Sequence, residues 1–177
     1  MSEFSSPFET DLGRGVVLAT SSGIRKVLLP DMDNVEIIAP TIMTPSQLTE
    51  RVSHMLECYF KFSAQSFDSI PLDIDVYGDF RRYVLNLVRS IPFGEVRSYA
   101  QVAFMAGSPR AARAVGGAMA ANPVPIIIPC HRIVAANGSL TGFSAPGGLK
   151  LKKYLLRMER VEFKGERTIL KTNVINM

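Results

Sequence analysis

The hydrophobic positions of this chain change period near residue 78. Before it, short apolar runs at Gly15–Ala19, Lys26–Leu29 and Val35–Ile38 alternate with turn residues and predict strands. Thr44-Pro45-Ser46-Gln47 predicts a helix start, with Thr44 as the capping hydroxyl, proline at the first helical position and glutamine three residues after the cap. That helix runs to Phe62, and an extended run follows from Ile70 to Tyr77. From Asp79 the pattern is helical: Phe80, Tyr83, Val84, Leu87 and Val88 recur three and four residues apart, so they share the buried face of a helix that Asp79 caps and Ile91-Pro92-Phe93-Gly94 ends. Ser98-Tyr99-Ala100-Gln101 is a second capping box, opening a short helix to Ala106, with Gly107 at a left-handed C-terminal cap. Pro109 then restarts a helix to Ala121. The pattern predicts an α+β protein of two domains: a small α/β domain over residues 1–77, and a mainly α helix-turn-helix, winged-helix-like domain over residues 78–177.

Two short helices about a glycine turn are the arrangement in which the second helix enters a DNA groove, although a helical hairpin inside a core has the same spacing. The second helix is made almost wholly of small residues, among them Ala112, Ala114, Gly116 and Gly117, with the long basic Arg113 standing in their midst. Glycine inside a helix costs about 1 kcal/mol relative to alanine, so close approach to another surface has to return that energy. Arg113 is placed to serve as a wedge or a phosphate ligand.

Charge sharpens this picture. The net charge of +4 hides an asymmetry: residues 1–75 carry 5 Lys/Arg against 11 Asp/Glu, and residues 76–177 carry 15 against 5. A basic second half fits a polyanionic partner such as nucleic acid, because cations that neutralise phosphates release condensed counterions. With 47% apolar residues among 177 the chain can bury a core. Its longest apolar run, Val124–Ile128, is broken by proline and far shorter than the ~20 residues of a membrane span, so no membrane association is expected. The N-terminus lacks the basic start and apolar stretch of a secretory signal. Cys58 and Cys130 are therefore expected as free thiols in a reducing, intracellular compartment, cytoplasmic or nuclear. Cys58, with His54 one turn away, reads as a buried apolar residue, and no metal site or cofactor is expected.

The chemically specific segment is Asn122-Pro123-Val124-Pro125-Ile126-Ile127-Ile128-Pro129-Cys130-His131-Arg132-Ile133-Val134. Its prolines fix the backbone on both sides of a predicted short buried strand, at whose end the Cys130 thiol emerges. A thiol is a nucleophile only as thiolate, which needs a base or a positive charge close by, and His131 and Arg132 supply one of each. Adjacent residues of a strand face opposite sides, so His131 reaches Cys130 only in a turn or through a water. Such a pair also suits a cysteine hydrolase, which would turn over many times.

Pro129-Cys130-His131-Arg132 in this setting resembles the active-site signature of the O6-alkylguanine-DNA alkyltransferases. The likeness extends from Phe80 through Pro92-Phe93-Gly94-Glu95-Val96, Ser98-Tyr99 and Arg113-Ala114-Val115-Gly116-Gly117-Ala118-Met119 to Gly147-Gly148-Leu149 and Leu155-Leu156 with Glu159. It implies a ribonuclease-H-like first domain and a monomer that binds duplex DNA carrying O6-alkylguanine through the minor groove. The damaged nucleotide is rotated out, and its alkyl group, from guanine or from O4-alkylthymine, passes irreversibly to Cys130, once per molecule. By the same resemblance His131 is the base, acting through a water, with Glu159 as its carboxylate. Tyr99 bonds the flipped guanine and helps protonate it as it leaves, and Asn122 braces the turn before the active-site strand. Ile133, Met119, Phe143 and Ser144 line the guanine pocket, Ile133 through its carbonyl. Arg113 fills the gap left by the flipped base, and Ser98, Arg132 and the small residues Ala112, Ala114, Gly116 and Gly117 face DNA. Cys130 separates the chain from the alkyltransferase-like proteins, which lack a cysteine there. In the loop over the pocket, Phe143 replaces the tyrosine of many relatives and Ala145-Pro146 are additional.

Overall fold

A computed structural model describes residues 3–30, 43–75 and 77–170, and the predicted strand at Val35–Ile38 lies outside them. The chain divides into two compact units: residues 1–76 with 123–127 and 145–147, and residues 77–122 with 128–144 and 148–177.

The first unit is a three-stranded antiparallel sheet with one helix. Strands β1 (Phe4–Thr10), β2 (Gly13–Thr20) and β3 (Gly23–Leu28) lie in that order, from Phe4↔Ala19 to Thr10↔Gly13 on one side of β2 and with a bulge at Leu18/Ala19 on the other. The sequence pattern does not reveal β1, because its buried positions include the polar neighbours Ser5 and Ser6. Both are buried with their hydroxyls satisfied, Ser6 by Thr49 Oγ1 at 2.7 Å and Ser5 by the Thr44 amide at 3.1 Å. Its Pro7 is tolerated because β1 lies at the edge of the sheet formed by the described residues. Gly15 is required: a Cβ there would stand 2.1 Å from the Phe8 ring.

Helix α1 (Gln47–Phe60) lays Val52, Leu56, Tyr59 and Phe60 into this core, Phe60 stacking on Phe8 at 6.3 Å. Its cap is Ser46, boxed with Thr49, and not Thr44; the Thr49 hydroxyl reaches back to the Ser46 amide as glutamine would have from Gln47. Among the described residues the predicted extended run from Ile70 contributes one bridge, Leu72 to Ile24.

In the second unit come α2 (Asp79–Arg89), β4 (Arg97–Ser98), α3 (Tyr99–Met105), α4 (Ala112–Ala120), a 3-10 turn (Cys130–Arg132), β5 (Ile133–Val134), α5 (Gly148–Met158), β6 (Phe163–Lys164) and β7 (Arg167–Thr168). On α2 the core face is Val84, Leu85 and Val88, whereas Phe80 and Tyr83 are 36% and 52% exposed and so leave the predicted stripe. Arg81 on the same helix stacks over Tyr77 at 3.7 Å and donates to the Ala121 carbonyl, turning that flank toward the end of α4. Gly78, not Asp79, precedes the first turn. The Ser98–Gln101 capping box forms, and Gly107 takes φ +69° between α3 and α4.

No strand forms over Val124–Ile128. Pro123, Pro125 and Pro129 remove backbone donors and lock φ, which forbids a ladder, and Ile126 takes a left-handed φ of +72°, although the whole stretch is buried. The site is placed instead by the parallel pair β4–β5, Arg97↔Ile133 and Ser98↔Val134. β4 runs directly into the helix that begins with Tyr99, and β5 leaves the turn that begins with Cys130, so two residue pairs fix the tyrosine beside the thiol.

Candidate functional site

Cys130 opens a tight turn: its amide donates to Ile128 O at 2.8 Å and the Arg132 amide to Pro129 O at 2.9 Å. A helical turn, unlike the predicted strand, carries Cys130 and His131 around one axis. The thiol is 6% exposed, and burial pushes its pKa up because the thiolate would lose water. Four features oppose this: a side-chain hydrogen bond from Asn122, the positive charge of Lys152, and the backbone amides of Cys130 and His131. Asn122 also donates to Ile128 O at 2.8 Å, bracing the chain just before the turn.

His131 is fully buried, and its Nε2 donates to Glu159 Oε1 at 2.8 Å. Burial lowers the imidazole pKa more than Glu159 raises it, so the ring rests neutral. With the proton on Nε2, Nδ1 is the nitrogen that can take one up. Glu159 lies one residue past the end of α5 with its side chain wholly buried. Arg132 grips both its oxygens, Nε to Oε2 and Nη2 to Oε1 at 2.8 Å each, and the Gly94 amide adds a bond at 3.2 Å. Although burial alone would raise it, these partners hold the carboxyl far below the usual carboxylate range, so it stays ionised beside the neutral ring.

Arg132 does not face DNA, contrary to the sequence-based expectation. It is 7% exposed, its Nη1 donates to Ile91 O at 2.5 Å, and its Nε and Nη2 bond Glu159, so every nitrogen of the guanidinium is engaged inside the unit and none is turned out toward a phosphate. Ser98 departs likewise: it is 4% exposed and its hydroxyl accepts from the Gln101 amide, which makes it a helix cap. Ala112 and Gly116 are half-buried, and Arg113, Ala114 and Gly117 are exposed along α4. A Cβ at Gly117 would touch nothing in the chain, so packing within the protein does not require a glycine there. Met119 is buried inside the unit.

Tyr99 is half-buried, its hydroxyl donating to Thr141 O and Gly142 O at 3.3 Å each. Burial raises its pKa, so it is a protonated donor at neutral pH. Gly142 takes φ +52°, and a Cβ there would sit 2.9 Å from the Tyr99 hydroxyl. Half-buried Phe143 follows, and exposed Ser144 donates to Ala120 O at 2.7 Å, tying this loop to the end of α4. The Ile133 carbonyl already accepts from Lys152 Nζ at 2.5 Å, leaving it one further lone pair. Lys152 is the residue that sequence reasoning missed. It is fully buried. The available signal was helical spacing: Lys152, Leu155, Leu156 and Glu159 share one face. Cys58 lies apart, in α1 of the first unit, 3.6 Å from His54. Among the described residues no helix is long and apolar enough to cross a membrane.

The arrangement is a rigidly held thiol with a neutral base fixed by an ionised carboxylate, and a phenol donor on the other side. Residues 79–161 match the family model for the DNA-binding domain of 6-O-methylguanine DNA methyltransferases. The methylated-DNA–protein-cysteine methyltransferase of Methanosarcina acetivorans is 34% identical over 154 residues, 86% of this chain and 95% of the relative. The fold superposes on the Mycobacterium tuberculosis O6-methylguanine methyltransferase with a TM-score of 0.73 at 32% identity, covering 90% of this chain and 93% of that one. The same mycobacterial protein solved in complex with DNA gives 0.73 at 33% identity, with 89% and 92% covered. Such similarity along nearly the whole length assigns the fold and the lineage together: this chain belongs to the methylated-DNA–protein-cysteine methyltransferase family.

Proposed function

We propose that this protein repairs DNA by moving the alkyl group of O6-alkylguanine in a duplex onto Cys130 Sγ, once per molecule. The observation that carries the reading is the buried Cys130 thiol in a turn with His131, whose imidazole is kept neutral by burial and oriented by Glu159. The thiol proton passes through a water to His131 Nδ1. The sulfur then attacks the alkyl carbon, and the carbon–oxygen bond breaks with its electron pair going to the base. Tyr99 donates a proton to the departing guanine and recovers one from His131 by way of solvent. A thioether results. It is not hydrolysed, so the protein is consumed in the reaction.

A base inside a duplex is out of reach of a buried thiol, so the nucleotide leaves the stack before transfer. The small, exposed face of α4 allows the close approach that a minor groove demands, with Arg113 entering the vacated space. O4-alkylthymine, whose alkyl oxygen occupies the equivalent position on a pyrimidine, is a second substrate. The protein acts as a monomer in a compartment where Cys130 stays reduced, cytoplasm or nucleus.

Incubation with a duplex containing one O6-methylguanine tests the proposal. The intact protein is expected to gain the mass of one methyl group in place of hydrogen while the lesion disappears, and Cys130→Ala is expected to do neither. Catalytic loss of the lesion with no change in protein mass would overturn it.

A further inference from the structure

Lys152 carries a positive charge into the interior, and no carboxylate among the described residues meets it. Its side chain is fully buried on α5, and every hydrogen bond of its ammonium among the described residues goes to a carbonyl: Ile133 O at 2.5 Å, Thr141 O at 2.6 Å and Gly142 O at 3.5 Å. Two of these carbonyls also receive the Tyr99 hydroxyl. Carbonyl dipoles satisfy the donors but do not neutralise a buried charge, which costs several kcal/mol to desolvate. The ionisable groups with which this cation interacts electrostatically are the Cys130 sulfur, which it favours as thiolate, and the His131 imidazole, which it helps to keep neutral.

Building on the alkyl-transfer reading, we infer that Lys152 is a positioning residue of the reaction: it fastens the Thr141–Gly142 carbonyls to Tyr99 across the Ile133 strand and supplies the counter-charge for the Cys130 sulfur as its proton departs. The other ionisable groups around the sulfur are suited to other tasks. Tyr99 on α3 is a neutral proton donor, and His131 takes up the proton. Arg132 is neutralised by Glu159. Burial brings the Lys152 ammonium down to about 8, while the neighbouring sulfur pulls it upward, the signature of two groups that stabilise each other's charge. The cation is therefore unstable enough in the resting site for the developing thiolate to be its natural partner.

The test uses Cys58→Ser protein, in which Cys130 is the one thiol. The rate of iodoacetamide modification is followed against pH with and without Lys152→Met, alongside single-turnover methyl transfer from DNA. Removing the cation is expected to raise the midpoint of thiol reactivity by about one unit, a tenfold loss of thiolate at fixed pH, and to move the transfer profile to higher pH in step. A folded Lys152→Met protein with the parent's midpoint would overturn the inference, since a mere loop fastener leaves the titration in place. Should that variant not fold, the parent chain carries the test. Nitrogen NMR of Lys152 is expected to give a lower midpoint in Cys130→Ala than in the parent, because coupling is reciprocal, and equal midpoints would refute it. Failure of the alkyl-transfer reading has a separate sign: the parent protein would take no methyl group from DNA whatever its thiol titration.

Discussion

Replacing Arg132 with methionine decides between two roles for a residue that adjacency to Cys130 and burial assign differently. The guanidinium and the Glu159 carboxylate lie 9% and 0% exposed, joined by two bonds of 2.8 Å, with a third from Arg132 to Ile91 O. Removing one partner of a buried pair strands the other's charge and costs about 3–5 kcal/mol. For a chain of this size that lowers Tm by about 6–20 °C. Chemistry suffers less: Glu159 keeps His131 and the Gly94 amide, and His131 loses a neighbouring cation that depresses its basicity. Thermal unfolding by circular dichroism is therefore expected to show the large drop, while transfer well below Tm stays within about tenfold of the parent. DNA affinity should keep its slope against salt. A phosphate ligand would behave in the opposite way, with Tm unchanged and the slope of log affinity against log salt reduced by about 0.9, and that outcome would refute the buried assignment.

Arg113→Ala, exposed on α4, is expected to weaken DNA binding and flatten its salt dependence by about one contact without moving Tm; equal binding at all salt concentrations would exclude it from the interface. Because burial holds His131 below its ordinary 6.5, the unfolded chain takes up a proton in acid that the folded one refuses. Stability therefore falls as pH drops through 6.5, and below 4.5 protonation of Glu159 in the unfolded chain acts in the same direction. Melting curves across that range check this, and a flat profile would contradict it. Alkylation of Cys130 adds volume to a site only 6% exposed, an overpacking worth about 1–3 kcal/mol, so the alkylated protein should melt below the free one. Equal melting temperatures would show that the pocket already holds the space.

Features that depend on neighbours in the chain were largely legible, although the caps of α1 and α2 fall on Ser46 and Gly78 and not on Thr44 and Asp79. The Ser98–Gln101 box, the glycine turn at Gly107 and the small-residue helix follow from local rules of capping and backbone freedom. So does the existence of the helix after Gly78, although its buried face lies about a quarter-turn from the predicted stripe, with Phe80 and Tyr83 exposed and Arg81 held by Tyr77 and by the Ala121 carbonyl of a distant segment. The second class of error came from judging charged residues by type. Arg132 and Lys152 look like surface cations until Glu159, 27 residues from Arg132, and the carbonyls of residues 133, 141 and 142 are brought to them by folding. The apolar stretch before Cys130 satisfied strand composition but not strand hydrogen bonding, since its prolines leave too few donors. At the site, the thiol, imidazole and carboxylate were legible through the motif, and the cation was not, since its charge outweighs the helical spacing that sets it on one face with Leu155, Leu156 and Glu159.

The central claim is that one sulfur receives the lesion's alkyl group. Peptide mapping of protein recovered from excess duplex bearing isotopically labelled O6-methylguanine measures this at the level of single residues. The account predicts label in the fragment containing Pro129-Cys130-His131, one methyl per molecule however long the incubation, and none on Cys58. Label on Cys58, or a repaired duplex with an unlabelled Cys130, would contradict it.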